Sequence, residues 1–288
     1  MLINIRFCTH NYKIFNAMIL FIFVIISYEY LKKKNIKEYI KHYKELGYNH
    51  IYIYDNNDIN GQNFSFILNE EIKNGFVSII DYIGYKGKKN NSQREAYYDC
   101  YKKNRRHYNW LSFFDFDEFL DLKNKTIQEF LNNEIFNNCQ VIKINWLVYE
   151  SNKEVLYYEK KPLQERFDVP SFNNIANKHI KSTVKGNLKY NYWQHWANPH
   201  SSFNNYIACS SSGKKIDSST PFLVPPDYSK ATLKHFGMKS FEEFCFKLKR
   251  GWPDATNNMI WINSLIKGNI NNSVKLKIIK NIFNLTNL

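Results

Sequence analysis

Between Asn35 and Leu120 the apolar residues change period repeatedly, and that alternation narrows the fold more than any other property of the chain. Ile36, Ile40, Tyr43 and Leu46 fall on one helical face, and Gly47 is placed to end that helix. His50 to Tyr54 alternates as a strand does and halts at Asp55-Asn56-Asn57-Asp58, a turn-forming cluster. Phe64, Ile67, Leu68 and Ile72 mark a second helix that stops near Gly75, and Phe76 to Ile80 reads as another strand. A further helix is expected over Ser92 to His107, with Ser92 as its cap and Glu95 at the capping-box spacing. Helices that alternate with short apolar strands predict an α/β domain with a largely parallel sheet.

In such a sheet, ligands bind beyond the carboxyl ends of the strands. Two polar clusters fall there. One is Asp55-Asn56-Asn57, and the other closes the strand of Trp110-Leu111-Ser112-Phe113-Phe114-Asp115-Phe116-Asp117-Glu118-Phe119-Leu120. Carboxylates are rarely buried unless they are paired or hold a cation. In a locally extended chain, Asp115 and Asp117 point to one side. Oxygen ligands at that spacing suit a hard divalent ion, Mg²⁺ or Mn²⁺, of the kind that neutralises a diphosphate. Glu118 is expected to brace the loop or to accept from backbone N–H groups.

Aromatic residues make up 17% of the 288, and apolar residues 44%, enough for a sizeable core. The net charge of +14 is spread in short runs at Lys32 to Lys34, Lys86 to Lys89 and Lys102 to Arg106. With so much Lys, Asn, Ile, Tyr and Phe it reads first as a coding bias, next as an anionic membrane or polyanion surface, and last as nucleic-acid binding. Five scattered cysteines without Cys-x-x-Cys spacing support neither a zinc site nor a disulfide framework, and Cys100, Cys139 and Cys245 are expected in the core. Ala17 to Ile26 is an apolar run too short to span a bilayer, since a span needs about 20 residues. Rich in Ile, Val and Phe, it is read as a buried first strand ahead of a signal or membrane anchor. The expected division is a leader over 1–16 and a single domain over 17–288. Its first part, about 17–122, carries the nucleotide, and its second, about 123–288, the acceptor.

Val141 to Tyr149 is a strand, Ser151 to Asp227 is loop-rich, and Ser240 to Arg250 is a helix that buries Phe241, Phe244, Cys245 and Leu248 before Gly251. Two more helical stretches, Asn257–Lys267 and Ser273–Leu285, finish the chain.

His42-Tyr43-Lys44-Glu45-Leu46-Gly47, Ile51-Tyr52-Ile53-Tyr54-Asp55-Asn56-Asn57-Asp58 and Trp110 to Leu120 resemble the glycosyltransferase family 92-like and family 2-like enzymes. The likeness continues in order through Asn145-Trp146, Glu165-Arg166-Phe167, Pro199-His200, His235-Phe236 and Glu242-Glu243-Phe244 to Lys249-Arg250-Gly251. It implies a GT-A-type three-layer α/β/α sandwich with a mostly parallel central sheet and a helical C-terminal extension. It also implies a sugar transferred from a nucleotide-sugar donor, a UDP-sugar first, to a glycan or other hydroxyl acceptor, with inversion. The cofactor implied is Mn²⁺ or Mg²⁺, held by Asp115, Asp117 and His235. By the same resemblance Asp55, Asn57, Gln93 and Asp115 meet the nucleotide sugar. Asp117 is the direct ligand and His200 lies on the acceptor side.

An inverting transfer needs a base for the acceptor hydroxyl. Glu165 is the first choice, ahead of Glu150 and Asp168, with a Glu165–Arg166 salt bridge as the structural alternative. Lys181 and Arg250 are candidate cations for the leaving group, while Trp193, Trp196 and Trp252 either stack on sugars or fill the core. His195 is expected to pack. The family carries a Lys/Arg-Asn-Glu-like segment after its first strand, where this chain has Tyr30-Leu31-Lys32-Lys33-Lys34. That departure motivates the alternative of a non-catalytic glycan- or partner-binding protein. An acidic-metal nuclease is a third reading, disfavoured because no further carboxylate cluster accompanies the pair. The apolar N-terminal run leaves membrane association and a cytoplasmic location both open.

Overall fold

A computed structural model of the chain describes residues 18–24, 33–55, 64–82, 92–151, 155–157, 161–188, 206–250 and 273–283. The apolar run near the N-terminus forms strand β1 (Met18–Val24). It lies parallel between β2 (His50–Asp55) and β4 (Trp110–Asp115), and β3 (Val77–Asp81) adds in parallel outside β2. Helix α1 (Lys33–Glu45) buries Ile36, Tyr39, Ile40 and Tyr43, the stripe its spacing predicted. Gly47 ends it at φ +85°, a left-handed conformation that glycine adopts without a Cβ penalty. Two short helices, α2 (Phe64–Ile67) and α3 (Asn69–Lys73), precede β3, and α4 (Ser92–Asn104) precedes β4. Among the described residues no helix is long and apolar enough to cross a membrane.

Beyond β4 the sheet becomes mixed. After β5 (Glu118–Asp121) and α5 (Ile127–Leu131) come β6 (Val141–Val148), the one-turn α6 (Leu163–Arg166) and β7 (Ile180–Lys185). Two short strands, β8 (Ala208–Cys209) and β9 (Lys215–Ile216), lead to β10 (Thr232–His235). The order β3-β2-β1-β4-β7-β6-β10-β5 has β7 antiparallel to both neighbours and β5 antiparallel to β10. The fold is mixed α/β, parallel through its first four strands and again where β6 meets β10 and β8, and antiparallel around β7, at β5–β10 and at β8–β9. The helix-strand alternation that forces parallel crossovers stops at β4, and loops replace helices in the second half.

The link from β4 to β5 bends the whole sheet. Only Phe116 and Asp117 separate the two strands, yet β5 stands four places from β4 in the order. Three peptide steps reach at most about 11 Å, whereas four flat strand spacings span about 19 Å. The sheet must curl until its last strand returns beside β4. Helix α1 secures that return: the Tyr43 hydroxyl donates to the Glu118 carbonyl at 2.9 Å and accepts from the Leu120 N–H at 3.1 Å.

Cys100, Cys139 and Cys245 are buried as expected, and the cysteines depart from expectation in one pairing. Cys139 and Cys209 form a disulfide across a sequence separation of 70, joining the approach to β6 to the end of β8, while Cys100 and Cys245 are free and buried. Nothing in local spacing could show a pair so distant, because the parallel pairing of β6 with β8 makes it. Helix α7 (Phe241–Arg250) packs its Cys245 against Ile278, Ile279 and Ile282 of α8 (Ser273–Phe283). The expected stretch Asn257–Lys267 lies outside the described residues.

Candidate functional site

The curl gathers the carboxylates of the β4–β5 link against β6, β7 and β10. Asp115 ends β4, Glu118 opens β5, and Glu118 sits opposite His235 in the β5–β10 register. The Phe236 N–H donates to the Asp117 carbonyl at 2.8 Å, so the end of β10 is fastened to the turn that carries Asp117.

Asp115 is engaged on both oxygens. Oδ1 accepts from Gln93 Nε2 at 2.9 Å and from the Tyr97 hydroxyl at 3.0 Å, and Oδ2 accepts from Lys181 Nζ at 2.5 Å. Glu118 is fully buried. One of its oxygens accepts from the Asp115 N–H at 2.7 Å, and the other lies 3.5 Å from Lys181. Burial pushes the Glu118 carboxyl well above the usual range, against the pull of Lys181. Burial also opposes the charge of Lys181, but Asp115 and Glu118 outweigh it and raise its ammonium well above its ordinary value. The result is a closed triad of two carboxylates around one lysine.

Asp117 faces different partners. Lys247 Nζ of α7 is 3.3 Å from Oδ2, and His235 Nε2 is 3.8 Å from Oδ1. Burial would raise the Asp117 carboxyl, yet Lys247, His235 and Lys239 overcome that and hold it below the usual carboxylate range. Burial lowers the His235 imidazole to about 4, with Asp117 opposing, so the ring is neutral at pH 7.

Stacking holds His235 in place. Its ring lies 4.0 Å from Trp146 at 24°, and Trp146 stacks in turn on His179 at 4.9 Å. A hydrogen bond on the second nitrogen normally orients a functional imidazole, but here Nδ1 is buried without a partner. Gly237 completes the seat: a Cβ there would lie 2.8 Å from His235 Cε1 and 3.1 Å from Nε2. Sequence reasoning assigned no role to Trp146, Gly237, Tyr97, Lys239 or Lys247 in this site. The Asn145-Trp146 and His235-Phe236-Gly237 runs were the only local signals.

Asp55 is buried at the carboxyl end of β2. β1 alone separates β2 from β4, so Asp55 and Asp115 share one sheet edge about 10 Å apart. Gln93 touches Asp115 from the first turn of α4. Glu165 is exposed on α6, and the bonds of that helix lead elsewhere. Its first N–H groups donate to Glu38, and Arg166 pairs with Glu243 at 2.7 Å, so the expected Glu165–Arg166 bridge is replaced. Glu150 and Asp168 are likewise exposed. Asn57, His195, His200, Trp193, Trp196, Trp252 and the side chain of Arg250 lie outside the described residues.

Were a divalent ion bound, Asp117 and His235 would be candidate ligands for it. Asp117 Oδ1 and the neutral His235 Nε2 are spaced as two ligands of one ion are, and His235 Nδ1 has no competing role. Asp115 already accepts from Gln93 and Tyr97 on Oδ1 and from Lys181 on Oδ2, which leaves its Oδ2 one acceptor site for a further partner. Among the described residues no three His, Cys, Asp or Glu side chains form a preformed cage. An ion at Asp117 therefore requires further oxygens from a bound substrate, as Mg²⁺ commonly takes from phosphates.

Residues 24–219 match the model of glycosyltransferase family 92, well over half of the chain. No curated protein matches it. Among solved structures, S. aureus TarS 1–349 aligns at a TM-score of 0.40 and 8% identity, over 93% of this chain and 71% of that one. A second S. aureus TarS structure aligns at 0.41 and 10%, over 93% of this chain and 43% of that one.

Proposed function

The chain belongs to glycosyltransferase family 92 and is a glycosyltransferase, and from that premise we propose that it moves a sugar from a UDP-sugar to a hydroxyl of a glycan or related acceptor, with inversion. The frame proposed is a GT-A-type α/β/α sandwich with α7 and α8 as its helical extension. The observation that carries the reading is the pairing of Asp117 with His235 at the mouth of the curled sheet, with Asp55 on the same edge.

In this reading Asp117 and His235 hold a Mn²⁺ or Mg²⁺ ion, and Asp115 serves as their brace. When bound, the ion supplies Lewis-acid stabilisation of the departing nucleoside diphosphate. Asp55, across the edge, accepts hydrogen bonds from the nucleoside. Asp115 and Gln93 form the floor beneath the ribose and diphosphate, rigid because Lys181 and Tyr97 hold it. Asn57 extends the donor contacts and His200 the acceptor side. Trp146 and Gly237 keep the imidazole facing Asp117. The closed triad excludes water from one flank of the reacting diphosphate, where electrostatic interactions are strengthened.

Titration of the purified protein with UDP, with and without Mn²⁺, tests this reading. UDP is expected to raise the melting temperature only when Mn²⁺ is present, since a ligand of the native state stabilises it by mass action. Asp117→Asn is expected to lose that coupling and the Mn²⁺-dependent turnover of a UDP-sugar while melting as a folded protein. Undiminished Mn²⁺ coupling in the variant would overturn the metal assignment.

A further inference from the structure

Two lysines serve the two aspartates, and they are held in different ways. Lys181 is 7% exposed and sits between Asp115 and Glu118. Lys247 is 27% exposed, reaches Asp117 Oδ2 at 3.3 Å and donates to the Gly237 carbonyl at 3.1 Å. The helix beneath Lys247 is fixed. Ser240 caps α7 in a reciprocal arrangement with Glu243, the buried Arg166–Glu243 pair ties it to α6, and Cys245 packs on α8. Any movement of the ammonium therefore comes from its flexible four-carbon stem.

Asp117 is then claimed by two cations. An ion that binds its carboxylate beside His235 meets the Lys247 ammonium on the other oxygen, and like charges at that range repel. A diphosphate arriving with the ion offers the ammonium a better acceptor a short reach away. Lys239, at φ 55° on the turn before α7, also draws the Asp117 carboxyl down, although burial lowers its own ammonium and Glu243 faces it too. Lys247 is thus the partly exposed cation paired with Asp117, and a polyanion suits such a cation better than a bare metal ion does.

We propose that Lys247 is a donor-binding residue: it rests on Asp117 as an internal counter-ion in the empty site and transfers to the diphosphate when ion and nucleotide bind. The inference rests on the nucleotide-sugar reading above. It makes the site selective for ion and diphosphate together, because the lysine competes with the ion alone and assists the ion–nucleotide complex.

Calorimetric titration of wild type, Lys247→Gln and Lys247→Arg, first with Mn²⁺ alone and then with UDP at saturating Mn²⁺, tests it. Lys247→Gln is expected to bind Mn²⁺ several-fold more tightly and UDP about tenfold more weakly, the loss of one charge-assisted hydrogen bond. Lys247→Arg is expected to keep UDP binding near the wild-type value. Opposite signs for the two ligands are the signature, since a merely structural lysine would weaken both or neither. If Lys247→Gln shifts both affinities downward, or leaves both unchanged, Lys247 has no such role. A wild type that binds Mn²⁺ and UDP no better than Asp117→Asn does would instead sink the nucleotide-sugar reading and this inference with it.

Discussion

Asp115 and Asp117 stand two residues apart in one motif, yet the fold gives them different partners. Asp115 joins Lys181 and Glu118 in a triad and accepts from Gln93 and Tyr97, so three donors hold its carboxylate. Asp117 faces a neutral imidazole at 3.8 Å and a partly exposed lysine at 3.3 Å. Paired carboxylates are thus not a unit. One is held by Lys181, Gln93 and Tyr97, and the other meets His235 and Lys247, at side-chain exposures of 26% and 18%.

The sharpest way to break this contrast is to neutralise each acid separately. Asp117→Asn is expected to cut sugar transfer by at least about 100-fold, the scale of losing a charge-stabilising group, with little change in melting temperature. Asp115→Asn is expected to lower the melting temperature as well, because it strips Lys181 of its nearest partner. Next in size is Lys181→Met, which leaves Asp115 and Glu118 without their cation and is expected to cost about 3 kcal/mol of stability, read by urea denaturation. Equal stability of Lys181→Met and wild type would mean that the triad is not a structural lock.

Gly237→Ala probes the open side. Its methyl must displace the His235 ring, and about 1–2 kcal/mol of overpacking strain is expected. Mn²⁺ affinity should fall by more than overall stability does, measured by calorimetry beside a thermal melt. The smallest effect should come from Lys247→Met, whose partly exposed pair is worth under about 1 kcal/mol of folding stability. A large destabilisation there would move Lys247 into the class of Lys181 and erase the difference between the two lysines.

Much of this site was legible in the order of the residues. The apolar strand Trp110–Phe114 running into Asp115, Asp117 and Glu118 marked the place, and Glu118 does brace the loop through the Asp115 N–H. The helical stripe of α1 and its stop at Gly47 also followed from spacing alone. Spacing could not separate the roles of the two aspartates. An extended i, i+2 pair shares a side, but Phe116 and Asp117 form a turn rather than continuing the strand. The Glu165–Arg166 bridge, the structural alternative to Glu165 as base, was a guess from adjacency in sequence, and Arg166 turns instead to Glu243, 77 positions further along the chain.

What the sequence by itself determined was local: which segments are helices and strands, where the apolar faces lie, and that acids stand at a strand end. Those properties depend on neighbours within one or two turns, whose spacing along the chain is their spacing in space. Only the tertiary structure decided which partners each acid meets. It also decided that Cys139 meets Cys209 and that Trp146 and His235 stack. The disulfide follows from the β6–β8 pairing and the stack from the β6–β10 pairing, while long-range packing brings Lys181, His235 and Lys247 to the aspartates from 66, 118 and 130 positions away.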